Sequence, residues 1–189
     1  MTSTFLVRPQ APGDLDAVNQ LHEDAFGPGR FARSAYRVRE SSHGPQIALI
    51  AWDGATLAGA IQLTAVTIGG ERGAMLLGPL AIAPAYKGMG GGQRLIGESL
   101  VAARYAGKRL VVLVGDLPYY QRAGFATLPP GQIQFPGPAD PARILAVELE
   151  PGALDDFHGL IVADNAPMPA VIVAAPKRST TEQTMFVFA

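Results

Sequence analysis

Apolar residues in the first half of the chain recur with two different periods. Within residues 14–26 the apolar positions are spaced by three and four, which predicts an amphipathic helix. Residues 47–52, 56–68 and 73–82 are instead rich in β-branched and other apolar side chains, and the Asp53-Gly54 pair between the first two runs is typical of a hairpin turn. We therefore predict two or three consecutive antiparallel strands, preceded by a short strand at 4–8 and a short helix at 33–40.

The pattern changes after Pro84. A glycine cluster at 88–92 precedes a helical pattern that reaches about residue 106, and the apolar run 110–114 is typical of a buried central strand. A short helix at 117–123, ended by Gly124, and a late strand at 144–149 follow. The apolar runs 171–175 and 185–189 each predict a short strand that packs against the core or a second copy of the chain.

Composition and charge narrow the class of protein. The 189 residues are 48% hydrophobic, which supports a packed core, and the net charge of −1 argues against nucleic-acid and membrane partners. The chain has no cysteine, so disulfides and thiolate nucleophiles are excluded. No signal peptide is evident, and no apolar run approaches the ~20 residues that span a bilayer. We expect a soluble, cytoplasmic protein.

The glycine cluster is the segment most informative about function. Glycines after a strand, at the start of a helix, let backbone N–H groups converge on an anion such as a phosphate. The segment Lys87-Gly88-Met89-Gly90-Gly91-Gly92-Gln93-Arg94 lacks the last glycine of a dinucleotide-binding fingerprint and the Gly-Lys-Ser/Thr of a P-loop. Its spacing matches Q/R-x-x-G-x-G/A, with Lys87 in the first position. An ordinary glycine-rich turn remains the alternative.

Three segments together resemble the GNAT superfamily of N-acetyltransferases, and most closely its YhbS-like group. They are the strand 76–82 leading into 84–88, the Tyr-Tyr-x-Arg-x-Gly-Phe pattern at 119–125, and the segment 145–154. The resemblance covers about residues 4–160. It implies one acetyltransferase domain over residues 1–160, with residues 161–189 forming a C-terminal tail that packs on the core or on a partner subunit.

The resemblance also implies a fold and a cofactor site. The fold is α/β (α+β), with a mixed, mostly antiparallel sheet splayed between strands 4 and 5 and flanked by helices. Acetyl-CoA enters this cleft as co-substrate. Its pantetheine arm pairs with Leu80, Ala81 and Ile82, and its pyrophosphate binds Lys87, Gly88, Met89, Gly90, Gly91 and Gly92. Pro79, which has no N–H, suits either a strand leaving its neighbour or a simple bulge.

The implied reaction is acetyl transfer to the amine of an unidentified small-molecule or peptide acceptor. By its position in the motif Tyr120 is the general acid, because a phenol stays protonated at neutral pH; Tyr119 is expected to pack. Asp116 either caps the following helix or binds the amine. No general base is obvious among the candidates, which are His22, Glu23, Asp24, Glu71 and Asp116. A non-catalytic acyl-CoA sensor of the same fold is therefore the alternative.

Other chemistry receives little support from the sequence. His158 beside Asp155-Asp156 is a weak metal motif, and we expect no metal. Phe26, Phe31, Tyr36 and Trp52 either line an acceptor pocket or belong to the core. A homodimer is an open expectation.

Overall fold

The computed structural model describes residues 5–27, 34–166, 172–174 and 185–187. Four α-helices lie in these ranges: α1 (Leu15–Phe26), α2 (Ser34–Glu40), α3 (Gly91–Tyr105) and α4 (Leu117–Tyr120). The strands of the main sheet are β1 (Leu6–Pro9), β2 (Gln46–Asp53), β3 (Thr56–Ile68), β4 (Glu71–Ile82), β5 (Leu110–Val114), β6 (Ala126–Thr127), β7 (Ile133–Gln134), β8 (Ile144–Glu148) and β9 (Gly159–Ala163). Strands β10 (Ile172–Ala174) and β11 (Met185–Val187) form a separate antiparallel pair.

The predicted helices and long strands all occur, within a few residues of their expected ends. Thr4, Arg33 and the outer residues of the runs 171–175 and 185–189 lie outside the described residues. Strands β6, β7 and β9 are elements that the sequence analysis did not predict. Strand β9 pairs with the far end of β3 and runs across residue 160, so residues 161–163 lie in the main sheet. The extent of a tail beyond them stays a prediction.

The main sheet is mixed and mostly antiparallel, and it opens between its fourth and fifth strands. Its order is β1-β2-β3-β4-β5-β8-β6, with β9 alongside β3 and β7. Strands β4 and β5 are parallel and pair only from Ala74 to Leu76 on β4, against residues 110–112 on β5. Among the described strands, β4 then continues to Ile82 beside β3 alone, while β5 stays with β8. The predicted splay is confirmed.

A bulge in β4 lies just beyond the point of separation. Ile61 of β3 pairs with Leu80 and Leu63 pairs with Leu77, so Gly78 and Pro79 together oppose the single residue Gln62. Gly78 has a φ of +123°, and the Gly78–Pro79 peptide bond is cis. Because β4 leaves β5 already after Leu76, the separation precedes Pro79. Pro79 belongs to a bulge facing β3, which is the second of the two interpretations offered by the sequence.

Helices cover both faces of the sheet. Leu95 and Ile96 of α3 are fully buried in a cluster with residues of β2 to β5 and β8. Val18 and Leu21 of α1 pack against Ile50, Ala60 and Ala81 in a separate cluster. These contacts fix α1 and α3 relative to β4, and they thereby position the loop that connects β4 to α3. Among the described residues, no helix combines the length and the apolar character needed to cross a membrane.

Candidate active site

The exposed edge of β4 begins where β5 departs. Leu80, Ala81 and Ile82 pair with residues 59–61 of β3 on one side. In the part of the chain that the structure describes, no strand pairs with these three residues on the other side. An unpaired strand edge offers backbone N–H and C=O groups to an extended, peptide-like ligand.

A loop rich in glycine connects this edge to α3. A single 3-10 turn, Pro84–Tyr86, is followed by Gly88 and Gly90, whose φ angles are +79° and +85°. Helix α3 begins at Gly91. In the described part of the chain, the N–H groups of Gly91, Gly92 and Gln93 donate to no backbone carbonyl. Donors of this kind, together with the helix dipole, favour an anion, and the exposed Lys87 adds a positive charge nearby.

Two aromatic side chains approach the first turn of α3. A Cβ on Gly91 would lie 3.2 Å from Cε2 of Phe5, and a Cβ on Gly92 would overlap the hydroxyl of Tyr119. The side-chain amide of Gln93 also donates to the carbonyl of Tyr119 at 2.9 Å. Tyr119 therefore joins α4 to the glycine loop, in agreement with the packing role expected of it.

The side chain of Tyr120 is held at the base of the cleft between β4 and β5. Its ring makes edge contacts with the rings of Tyr119 and Phe125, at centroid distances of 5.1 and 5.8 Å. A Cβ on Gly115 would overlap Cε2 of Tyr120, so the glycine leaves the space that the ring fills. Burial, with smaller contributions from Tyr119 and Asp116, raises the pKa of Tyr120 to about 12. The phenol is therefore protonated at neutral pH and able to donate.

A cavity of about 620 Å³ opens beside Tyr120 and the β4 bulge. Its walls come from α1, α2, α4, β3, β4, β5 and the segment before β8. The lining residues that carry polar or charged side chains are Asn19, His22, Tyr36, Arg39, Glu40, Gln62, Tyr120, Asp140 and Arg143. Phe26 and Leu80 are among the apolar ones. Leu80 and Tyr120 both line the cavity. The cavity therefore adjoins the inner end of the free β4 edge, where one end of an extended ligand bound along that edge would lie.

The five candidate bases lie in different parts of the structure. His22 lines the cavity, whereas Glu23 and Asp24 are exposed on α1 outside its lining. Glu71 lies at the start of β4, the end remote from the bulge, where its carboxylate is 3.6 Å from the guanidinium of Arg109. Asp116 forms an ion pair of 3.1 Å with Arg143. Of the five candidates, only His22 has its side chain in the wall of the cavity.

The structure also gives the positions of the capping, aromatic and metal-site candidates from the sequence. Asp116 occupies the N-cap position of α4, but its side chain makes no capping hydrogen bond and pairs with Arg143 instead, so side-chain capping is wrong. Phe26 and Tyr36 line the cavity, Trp52 packs beside α1, and Phe31 lies outside the described residues. Asp156 pairs with Arg109, and the described residues hold no group of side chains suited to a metal ion.

The sequence analysis missed most of the acceptor side of this site. Arg39, Glu40, Gln62, Asp140 and Arg143 line the cavity but belong to no motif. They come from three separate segments, and only the folded sheet brings them together. The one signal available was the helical pattern at 33–40, which ends in two charged residues next to the strands.

The mixed sheet that opens between β4 and β5, with a glycine loop at the start of α3, is the fold that the resemblance to GNAT acetyltransferases implies. Comparison with known families agrees, since the family described as "Acetyltransferase (GNAT) domain" matches residues 6–128. The match covers more than half of the chain. The chain belongs to the GNAT acetyltransferase family.

Individual relatives support the same assignment. The chain is 34% identical over 119 residues to an uncharacterized N-acetyltransferase, YjhQ of Escherichia coli K12, covering 59% of this chain and 64% of that protein. It resembles the crystal structure of the GNAT family N-acetyltransferase YhbS from Escherichia coli in complex with CoA, with a TM-score of 0.73, 25% identity and coverage of 85% and 89% of the two chains. A GNAT family acetyltransferase from Brucella melitensis in complex with acetyl-CoA is 32% identical, with a TM-score of 0.56 and coverage of 77% and 96%.

Proposed function

We propose that this protein transfers the acetyl group of acetyl-CoA to the amine of an acceptor that binds in the cavity beside Tyr120. The observation that carries the proposal is the separation of β4 from β5 after Leu76. It leaves one strand edge that leads at its far end to the glycine loop and at its near end to a cavity containing a protonated phenol. The solved relatives in complex with CoA and acetyl-CoA support the choice of ligand.

The pantetheine arm would pair with Leu80, Ala81 and Ile82, because its amide groups match a free strand edge. The pyrophosphate would accept hydrogen bonds from the amides of residues 88–92 other than Met89, whose N–H donates to the carbonyl of Tyr86 at 3.3 Å. Met89 would lie exposed beside the pyrophosphate, and Lys87 would be a point-charge partner. The fit is supported by the unpaired N–H groups at the start of α3 and by the positive φ angles of Gly88 and Gly90. When bound, acetyl-CoA supplies an activated thioester.

Tyr120 would donate its phenolic proton to the sulfur as the thiolate leaves. The phenol is protonated over the whole physiological range, so the proton is present to be donated. The hydroxyl would act at the inner end of the strand edge, since Tyr120 and Leu80 line one cavity.

His22 would accept the proton that the amine loses. A neutral imidazole has a ring nitrogen that can accept a proton, which suits a general base. The other proton acceptors on the cavity wall, Glu40 and Asp140, belong to solvent-exposed residues, whereas His22 is half-buried. The alternative function, a non-catalytic acyl-CoA sensor, rested on the lack of a base, and the position of His22 favours catalysis instead.

The test is a panel of amines incubated with acetyl-CoA, in which thiol release is followed and the acetylated product is identified by mass. We expect acceptor-dependent release, loss of turnover in His22→Gln, and no effect of the same substitution at His43, which is exposed and outside the cavity. Acetyl-CoA binding without release for any class of amine would favour the sensor. The cytoplasmic location, the homodimer and the tail contacts stay predictions.

A further inference from the structure

We infer that the acceptor carries a carboxylate close to its amine, and that Arg39 binds this carboxylate. The inference rests on the proposed function and names the class of acceptor, namely free amino acids and similar amino carboxylates. It comes from the way one arginine of α2 is built into the wall of the cavity.

Arg39 lies against the bulge of β4. A Cβ on Gly78 would be 2.9 Å from Nη1 of Arg39, so the guanidinium takes the space that a side chain at position 78 would need. The Nε atom of Arg39 is buried, and the guanidinium carbon is 6.0 Å from the centre of the Tyr36 ring. These contacts hold the side chain along the cavity wall, where it lines the cavity together with Tyr120.

The position is close to the expected point of reaction. Gly78 is two residues before Leu80, at the near end of the free edge of β4, and both residues line the same cavity as Arg39. An acceptor whose amine is at the inner end of that edge would have its neighbouring atoms beside the guanidinium. A planar guanidinium binds a carboxylate through two parallel hydrogen bonds, which fixes the orientation of the acceptor.

The other charged groups of the cavity wall are more exposed than Arg39. Arg143, the second arginine among the lining residues, is an exposed residue, and half of its side chain is accessible to solvent. The two carboxylates of the wall, Glu40 and Asp140, both belong to solvent-exposed residues. A charge-assisted bond is worth most where water is excluded, so the part-buried guanidinium selects more strongly than the exposed groups.

The test compares each of a set of free α-amino acids with its amide and its decarboxylated amine, using kcat/KM from thiol release. We expect the acid to be preferred over the amide by about 10- to 100-fold, the range for one hydrogen-bonded pair involving a charge. Arg39→Gln should remove this preference and change turnover of the amides by less than about threefold. Arg37→Gln, on the exposed side of the same helix, is the matched control.

Binding gives a second readout that does not depend on turnover. Calorimetric titration of N-acetyl amino acids and their amides into the protein with CoA should show tighter binding of the acids, lost in Arg39→Gln. Equal turnover and equal binding of acids and amides would overturn the inference while leaving acetyl transfer intact. Equal loss for all acceptors in Arg39→Gln, with a lowered melting temperature, would assign Arg39 a structural role and also overturn it. Preferential binding of the acids without any turnover would support the inference and contradict the proposed enzyme.

Discussion

The ring of Tyr120 lies over the α-carbon of Gly115, the first residue after strand β5. A Cβ at position 115 would overlap Cε2 of the ring and lie 2.9 Å from both Cδ2 of Tyr120 and Cδ1 of Leu113. Gly115 is buried, and its N–H donates to the carbonyl of Arg143 at 2.9 Å, so the backbone cannot easily move aside. The position of the phenol is thus set by the absence of a side chain five residues earlier.

This relationship predicts that Gly115→Ala displaces the ring of Tyr120. We expect kcat to fall by about tenfold or more, because a general acid acts only within hydrogen-bond distance of its target. Acetyl-CoA affinity should change less, since the glycine loop is untouched. Steady-state kinetics together with calorimetric titration checks this. Unchanged kcat in a folded variant would show that the position of the ring is not needed for turnover.

Replacing Tyr120 by phenylalanine keeps the ring contacts and removes the donor. We expect kcat to fall by about 10²- to 10⁴-fold while the dissociation constant of acetyl-CoA stays within a few-fold. The loss should be smaller for an acyl donor whose thiol is more acidic, because that leaving group needs less help. If affinity falls and kcat does not, Tyr120 is a packing residue.

Tyr119→Phe is the matched control for the neighbouring ring. The hydroxyl of Tyr119 packs on Gly92 at the start of α3 rather than in the cavity, so we expect altered stability or acetyl-CoA affinity and near-normal kcat. Abolished turnover in a stable Tyr119→Phe protein would show that Tyr119, and not Tyr120, is the general acid.

The raised pKa of Tyr120 predicts two effects of alkaline pH. The phenol keeps its proton until the pH approaches 12, so kcat should show no alkaline loss from Tyr120 near the ordinary phenol value of 10. The folded protein also holds this proton more tightly than the unfolded chain. The stabilisation is complete below pH 10 and is lost as the pH rises toward 12. Between pH 10 and 12 the free energy of unfolding of the wild type should therefore fall relative to that of Tyr120→Phe. A difference between the two free energies that stays constant over this window would contradict the raised pKa.

The conformation of Gly90 predicts a binding defect in Gly90→Val. Its φ of +85° is unfavourable for any side chain, at a cost on the order of 1–3 kcal/mol, although the space around it is open. Relief of this strain would re-aim the amides of residues 90–92, so we expect acetyl-CoA affinity to fall more than about tenfold.

Gly97→Ala, within the helix that follows Gly90, is the control. Gly97 is exposed, and a Cβ there would contact nothing within 4 Å. The substitution should stabilise the protein by about 0.5–1 kcal/mol and leave affinity unchanged. If folded Gly90→Val also binds normally, the loop is only a structural turn.

Much of the fold was predictable because its strands and helices have clear local periods. The hairpin at Asp53-Gly54, the apolar run 110–114 and the glycine cluster before α3 each specify their structure locally. The two-residue strands β6 and β7 have no such signal, and they form only because partner strands are present. Strand β9 alternates more and less exposed residues over only five positions, which is too short a pattern to predict a strand.

The candidate site likewise has one part that local sequence patterns predict and one part that they do not. The donor side follows from contiguous motifs at 80–92 and 119–125, whereas the acceptor side depends on contacts between distant segments. Gln62 lines the cavity because a bulge in β4 leaves it opposite Gly78 and Pro79, and Arg39 lies there because Gly78 has no side chain. Such relationships depend on tertiary register, which no local pattern contains.

Amide hydrogen exchange with and without acetyl-CoA tests the central claim most directly, because it reports where on the chain the ligand binds. We expect slower exchange in residues 80–92 and 115–120, and no change in residues 153–163 at the other end of the sheet. NAD and ATP at the same concentration should not slow amide exchange in residues 80–82 relative to the ligand-free protein. Acetyl-CoA that binds without slowing exchange at residues 80–92 would contradict a cofactor site between β4 and β5.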